Sequence, residues 1–368
     1  MVFGINACYG RTGASKPMDM SNLQALLDLT VTLPKEHLKH LIGFEFGNEI
    51  EPQGVSWAQW AADANTLSRA INATFSKAGL APRPVIGPDV QLSADGWKTV
   101  MRAAAPGVLA ALTYHQYPQC EPPPHGAALV LDPACLAQLG STARAAAALG
   151  GPGGFASWSG EGAVHSATGG NFGVWMGTFR SSFYYAWLLG TLPADGVAVA
   201  VRQAFIGGNY GLLNRTTRMP TPDYWIAFAF RSLFSGAPPY GLGGTGAPVA
   251  AVPGGGADTG LHAAAFRGAS GGSCLVVLIN LLTRGSQTVA LEGVAGSGGG
   301  VPRQRTEWHF TGSGGAGANA TEVDVNGRAV AFAPGASLPV FADLGRKVSD
   351  ADASVNLAPA SIAFVLVS

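Results

Sequence analysis

The 368-residue chain is short of charge. Only 12% of its residues are Asp, Glu, Lys or Arg, about half the usual share. Its 22 acidic and 22 basic residues cancel to a formal net charge of zero. A surface that neutralises many phosphates needs a basic excess, so nucleic acid and polybasic membrane docking are poor partners for this chain. Long apolar runs are lacking as well. The most apolar windows break well before the roughly 20 residues of a membrane-spanning helix, and no transmembrane segment is expected. The opening MVFGINACYGRTG has no basic segment ahead of an apolar core, so it does not read as a signal peptide. It reads as a strand entering a Gly-containing loop. The four cysteines, Cys8, Cys120, Cys135 and Cys274, show no CxxC spacing, which argues against a zinc site. Cys120 and Cys135 flank the Pro-rich QCEPPPHGAALVLDPAC and are spaced either to close a short disulfide or to stay as buried thiols.

Apolar residues make up 47% of the chain and Gly contributes 52 residues. The first figure supports a large core and rules out disorder throughout. Gly is concentrated in late tracts such as Gly254–Gly256 and Gly298–Gly300, which read as loop expansions. The length has room for one (β/α)₈ barrel of roughly 250 residues and one sandwich of about 100. Asn72, Asn214 and Asn319 open Asn-X-Thr sequons, weak support for a secretory route.

Up to about Gly236 the chain alternates short apolar runs with helical patterns. Strands are expected over Val2–Ala7, Leu41–Phe46, Pro84–Val90, Leu109–Tyr114, Phe155–Ser159 and Val197–Ala204. Helices are expected over Met20–Leu33, Trp57–Ala78, Gly96–Ala104, Leu136–Leu149, Val174–Gly190 and Asp223–Ser235. Six strand–helix units in a row predict a parallel sheet with helices outside it. Beyond 236 the helical period stops. Short β-rich runs at Leu275–Leu282, Thr288–Leu291, Arg328–Phe332 and Ile362–Val367 predict an antiparallel sandwich over 237–368, after a barrel domain over 1–236.

Two acidic residues stand at predicted strand ends. GFEFGNEIEP carries a strand into Asn48-Glu49, and FASWSGEGAVHSATGG carries another into a Gly-rich loop holding Glu161. Glu45 lies within its strand and is expected to point elsewhere in the pleat. Parallel βα folds place their chemistry at the carboxyl ends of the strands. Two carboxylates converging there match glycoside hydrolysis, in which one is protonated to donate to the leaving oxygen and the other ionised.

These residues, with VFGINA, IGPDV, LTYHQYP and VRQAFIGGNYGLLNRTTRMPTPDYW, give a chain that resembles glycoside hydrolase family 79, the heparanase-like β-glucuronidases, and their plant and algal branch in particular. The likeness runs over about Met1–Ser235 and returns in the final NLAPASIAFVLV. It implies a (β/α)₈ barrel with a β-sandwich, a retaining mechanism, no cofactor and no metal. By resemblance, Glu49 is the acid/base and Glu161 the nucleophile, with Asn48 on the sugar 2-hydroxyl. Tyr117 would orient the nucleophile and His115 would line the sugar pocket, with a satisfied core histidine as the alternative reading of His115. Gln203, Gly208 and Tyr210 fall in the eighth-strand segment, and Gly169 and Gly170 with Tyr210 would cradle the substrate carboxylate. A glycan bearing glucuronic acid is the implied partner. The implied setting is secreted, membrane-associated or vacuole-like, with the chain a glycoprotein.

Three departures qualify the likeness. Ser166 stands where the family often has an aromatic, and QLSADGWKTVMR lacks the basic cluster that suits sulfated heparan. Glu49 follows the second visible strand and Glu161 the fifth, where the family has the fourth and seventh. The equal spacing and the offset imply about six βα units here, with two units and a sandwich strand missing at the N-terminus. A non-catalytic or glycan-binding remnant, or another Asn-Glu barrel enzyme such as an arabinofuranosidase, are the alternatives.

Overall fold

The computed structural model describes residues 1–118, 132–165, 176–235, 247–251, 260–268, 273–291, 304–332, 337–349 and 354–368. The chain divides into two compact units. One comprises Met1–Gln116, Thr142–Glu161 and Gly196–Val201, the other Tyr117–Ser141, Gly162–Asp195 and Arg202–Ser368.

The first unit is built on the predicted parallel strands. β1 (Val2–Ile5), β2 (Gly43–Phe46), β3 (Val85–Val90), β4 (Leu109–Gln116), β5 (Ala156–Gly162) and β6 (Val197–Arg202) lie in that spatial order. The pairings from β1 to β4 are parallel. Helices α1 (Ser21–Thr30), α2 (Lys35–Leu38), α3 (Trp57–Lys77), α4 (Ala94–Ala103) and α5 (Pro133–Gly150) fall between the strands. This is the α/β barrel type of fold, with a run of sequential βα crossovers. α3 begins at Ser56, whose hydroxyl accepts from Gln59 N–H at 3.2 Å, and α4 at Ser93, which accepts from Gly96 N–H at 3.2 Å. Each cap satisfies a first-turn donor that has no helical partner.

Strand alternation decides which side chains face the helices. Phe44 meets Phe75 of α3 edge-on at 6.2 Å, and Phe46 meets Trp60 at 5.6 Å. Trp60 also donates its ring N–H to the Phe46 carbonyl at 2.9 Å. On β4, Tyr114 meets Trp97 of α4 at 6.2 Å. Trp60 and Trp97 are wholly buried, and burial of each large side chain contributes roughly 1.5–3 kcal/mol. With Phe44, Phe46 and Tyr114 committed to the helices, the intervening Glu45, Thr113 and His115 must point to the other face.

β5 is longer than expected. It continues to Gly162, so Glu161 lies in the strand rather than in the loop beyond it. Gly160 and Gly162 read as loop residues by composition. The extended backbone is held instead by hydrogen bonding, with Gln203 N–H donating to Gly162 O at 2.9 Å.

The second unit contains α6 (Phe179–Thr191), α7 (Pro222–Ser235) and the antiparallel strands. These are β7 (Ala247–Ala251), β8 (Leu261–Arg267), β9 (Cys274–Asn280), β10 (Gln287–Val289), β11 (Arg305–Gly312), β12 (Val323–Val325), β13 (Arg328–Val330), β14 (Arg346–Val348), β15 (Val355–Leu357) and β16 (Ser361–Val367). The large sheet runs β13-β12-β11-β16-β9-β8-β7, with β14 also on β11, and β10 pairs β15 separately. Every residue of β16 is buried, as expected of a central strand covered on both faces. Phe364 meets Phe230 of α7 at 5.1 Å, while Ala363, Val365 and Val367 pack with Val355 and Leu357. The predicted strands near 275, 288, 328 and 362 are present. β8 and β11 escape a sequence reading, because LHAAAFR is Ala-rich and RTEWHFTG interrupts its apolar residues with charge.

That charge is paired. Glu307 is buried on β11, 3.0 Å from Arg305, 2.8 Å from His309 and 2.5 Å from Arg346. Burial alone would raise its carboxyl. Hydrogen bonds from His309 and Arg346, with the Arg305 charge, outweigh burial and lower it to about 2. Such a group stabilises the fold fully above its unfolded value of 4.5 and loses that contribution as pH falls through about 2. Glu307→Gln should therefore lower stability at neutral pH by on the order of 3 kcal/mol. It should also flatten the acid limb of stability against pH, as measured by denaturant unfolding.

Candidate active site

Glu45, Thr113 and His115 share the face of the first unit's sheet that the helices do not cover, and the ends of β3 and β5 add Asp89 and Glu161. Glu49 reaches the same place by a different route. After β2 the chain turns at Gly47, with φ of 94°, and Glu49 itself has φ of 48°. Gly47 is required there, since φ is left-handed and an added Cβ would lie 3.1 Å from Ile50 and 3.2 Å from Trp60. A glutamate at positive φ is uncommon, and such strain gathers at functional sites.

His115 is the centre of the group, with its side chain 1% exposed. Its Nδ1 lies 3.5 Å from Glu49 Oε1. Its Nε2 lies 3.6 Å from Asp89 Oδ2 and 4.0 Å from Glu161 Oε2. Glu49 and Glu161 thus stand by opposite nitrogens of one imidazole ring. Burial by itself would lower the imidazole pKa. The hydrogen bond and charge of Asp89, joined by the charges of Glu161 and Glu49, outweigh burial and the net shift is upward. The buried-core reading of His115 holds for its burial, but the ring is surrounded by carboxylates rather than by apolar groups.

Glu45 differs from the sequence reading, which had it pointing elsewhere in the pleat. It lies on the His115 face, and burial together with the Asp89 charge pushes its carboxyl up to about 7, against the lowering effect of a Thr113 hydrogen bond and the His115 charge. The physical reason is the alternation already described: both flanking phenylalanines belong to the helices, leaving Glu45 the other side. Asp89, His115 and Glu161 each bring one donor atom within 4.8 Å of the others.

A cavity of about 410 Å³ opens beside these residues, lined by Asn6, Cys8, Tyr9, Glu45, Asn48 and Asp89 among others. Asn48 is therefore placed at the cavity, as its position after β2 suggested. Asn6, Tyr9, Glu45 and Asp89 were not assigned a role from sequence. The available signal was position: Asn6 and Tyr9 follow the carboxyl end of β1, and Asp89 lies near that of β3. Asn6 Oδ1 accepts N–H bonds from Cys8 at 2.6 Å and Tyr9 at 2.9 Å, which folds the chain over the strand ends.

The remaining candidates belong to the second unit. Tyr117 and Tyr210 are buried. Gln203 follows β6, and Gly208 has φ of 58° with its backbone against the Tyr210 ring. Arg202 organises this segment. It donates to Asp223 and to the Tyr210 carbonyl, both at 2.7 Å, while Ser181 and Ser182 donate to the other Asp223 oxygen at 2.7 and 2.8 Å. Asp223, a helix start by sequence, is thus a buried anchor. Gly169, Gly170 and Ser166 lie outside the described residues, as does Cys120. Cys135 is disulfide-bonded, and Cys8 and Cys274 are free.

An acid held near 7 favours the fold below its unfolded value of 4.5, and loses that contribution as pH rises through about 7. Glu45→Gln should therefore gain melting temperature over the wild type as pH is raised from about 5 to about 8, read by thermal unfolding at each pH. A constant difference would count against burial as the cause.

Comparison with known proteins bears on this arrangement. The model of the glycosyl hydrolase family 79 N-terminal domain matches residues 1–190. Heparanase-like protein 2 of Arabidopsis thaliana is 30% identical over 249 residues, covering 63% of this chain and 44% of that protein. The baicalin-beta-D-glucuronidase of Scutellaria baicalensis is 29% identical over 262 residues, covering 63% and 47%. The chain thus spans less than half the length of these curated relatives. In structure it is similar to a 4-O-alpha-L-rhamnosyl-beta-D-glucuronidase from Fusarium oxysporum, with a TM-score of 0.65 at 17% identity, covering 99% of this chain and 76% of that one. That likeness is one of fold. With more than half of its residues matched by the family model, the chain belongs to glycosyl hydrolase family 79.

Proposed function

We propose that the chain carries the catalytic machinery of a retaining glycoside hydrolase that releases β-linked glucuronic acid from glycans of the proteoglycan or arabinogalactan type. The observation that carries this reading is the pair Glu49 and Glu161, at the ends of strands three apart and on opposite nitrogens of His115. Glucuronide-acting proteins among the relatives and structural neighbours support the sugar.

The roles are those that the resemblance implies. Glu161 attacks the anomeric carbon and forms the glycosyl ester. Glu49 donates a proton to the departing oxygen and then takes one from the water that releases the sugar. Asn48 bonds the sugar 2-hydroxyl. The resemblance assigns further sugar contacts to His115, Tyr117, Gln203 and Gly208, and the sugar carboxylate to Gly169, Gly170 and Tyr210. The near-neutral α4 region makes sulfated heparan an unsuitable polymer. A secretory or vacuole-like setting is supported by the disulfide at Cys135 and by the surface positions of Asn72, Asn214 and Asn319.

Hydrolysis of an aryl β-glucuronide, against the matching β-glucoside, tests the reading. Glu161→Gln should lower kcat by roughly 1,000-fold or more, and the glucuronide should be preferred. Glu49→Gln should spare the first step for substrates whose leaving group needs no protonation, while slowing the release of the sugar by water. Equal rates for wild type and Glu161→Gln would overturn it.

A further inference from the structure

We propose that Asp89 is the positioning residue that ties the two candidate catalytic glutamates together, its main chain holding Glu49 and its carboxylate holding His115 and bearing on the backbone before Glu161. The roles of the glutamates rest on the reading above, but the tie itself is a matter of geometry.

Four contacts converge on this one residue. The Glu49 N–H donates to the Asp89 carbonyl at 2.9 Å. The Asp89 N–H donates to the Thr113 hydroxyl at 2.7 Å, which fixes β3 against β4 two residues before His115. The Asp89 Oδ2 lies 3.6 Å from His115 Nε2. The other carboxylate oxygen, Oδ1, packs on Gly160, so closely that a Cβ added to Gly160 would overlap it. Asp89 itself sits at φ of 55°, a left-handed conformation uncommon outside glycine, although Asp and Asn adopt it more readily than most. Its side chain is 8% exposed. A strained, buried acid is retained where its surroundings over-determine it, and here they are the supports of Glu49, His115 and Glu161.

This placement gives Asp89 two jobs. The first is spatial. The main-chain bond sets the turn that presents Glu49, and the carboxylate's need for room explains why glycine precedes Glu161. The second is electrostatic. His115 is faced by Glu49 and Glu45 from the β2 segment, by Asp89 from β3 and by Glu161 from β5. Asp89 is the most buried of the three acids in contact with the ring, and screening weakens its charge least. It favours the cationic form of the imidazole between the two glutamates.

The test reads the imidazole directly. The His115 titration midpoint is measured by NMR in the wild type and in Asp89→Asn, which keeps the main-chain carbonyl and the side-chain shape. The wild-type midpoint should lie above about 6.5, the unperturbed value, and fall by at least about one pH unit in the variant. On an aryl β-glucuronide, Asp89→Asn should lose roughly 10-fold or more in kcat with KM little changed, and its pH profile should move with the midpoint. Gly160→Ala should reproduce the fall by displacing the carboxylate, which provides a second variant should Asp89→Asn not fold. A wild-type midpoint at or below the unperturbed value overturns the proposal, as does a midpoint unchanged in both variants. A chain that hydrolyses no glucuronide yet shows the predicted midpoints overturns the glucuronidase reading and upholds the tie.

Discussion

Burying an ionisable ring is costly unless its charge is compensated, and the arrangement around His115 follows from that constraint. The side chain is almost wholly buried, on the face of the parallel sheet that the helices leave free. Four acids face it, one each from β3 and β5 and two from the β2 segment. The hydrogen bond and charge of Asp89, with the charges of Glu161 and Glu49, favour the ring's charged form against burial, and the ring's charge in turn opposes the upward push on Glu45. The group is therefore mutually dependent. In a chain with only 12% charged residues, so dense a cluster implies a demand on the ionisation of particular carboxylates rather than on solubility.

The second unit solves the same problem for a different end. Arg202 with Asp223, and Glu307 with Arg305 and His309, are buried ion pairs, the second joined by Arg346 from the surface. They bind loop to helix and strand to strand. The His115 group differs in that two of its acids, Glu45 and Asp89, line a cavity and one of them, Glu45, is pushed up to about 7. Matched pairs of this kind hold structure. Groups of acids with unequal environments divide the labour of proton donor and base.

Much of this was legible in the residues. Six apolar runs alternating with helical patterns led to the parallel order β1 to β6, because each run is long enough for one strand and too short for anything else. Glu49, with Asn48 beside it, and Glu161 stand out because they lie at or near the carboxyl ends of those runs, whereas His115 stands out only by the motif likeness. Their assignment to particular chemical roles came from the motif likeness, not from spacing. Glu45 was misplaced. Its neighbours Phe44 and Phe46 announce the alternation, but which face belongs to the helices depends on Trp60 and Phe75, dozens of residues away in the long third helix. Asp89 was read only as part of a motif, since contacts from a main-chain carbonyl leave no trace in composition.

The strands that sequence missed show the limit from the other side. β8 is Ala-rich and β11 is charged, and both are strands because β9 and β16 lie beside them and donate a ladder. Local pattern by itself determined the class of fold, the order of its crossovers and the two carboxylates most worth attention, because hydrophobic period and strand-end position are properties of short segments. Tertiary structure alone decided which acids share one imidazole, which face Glu45 takes and why Gly precedes Glu161. Those depend on distances between residues far apart in the chain, and charge, unlike hydrophobicity, takes its meaning from whatever lies a few ångströms away.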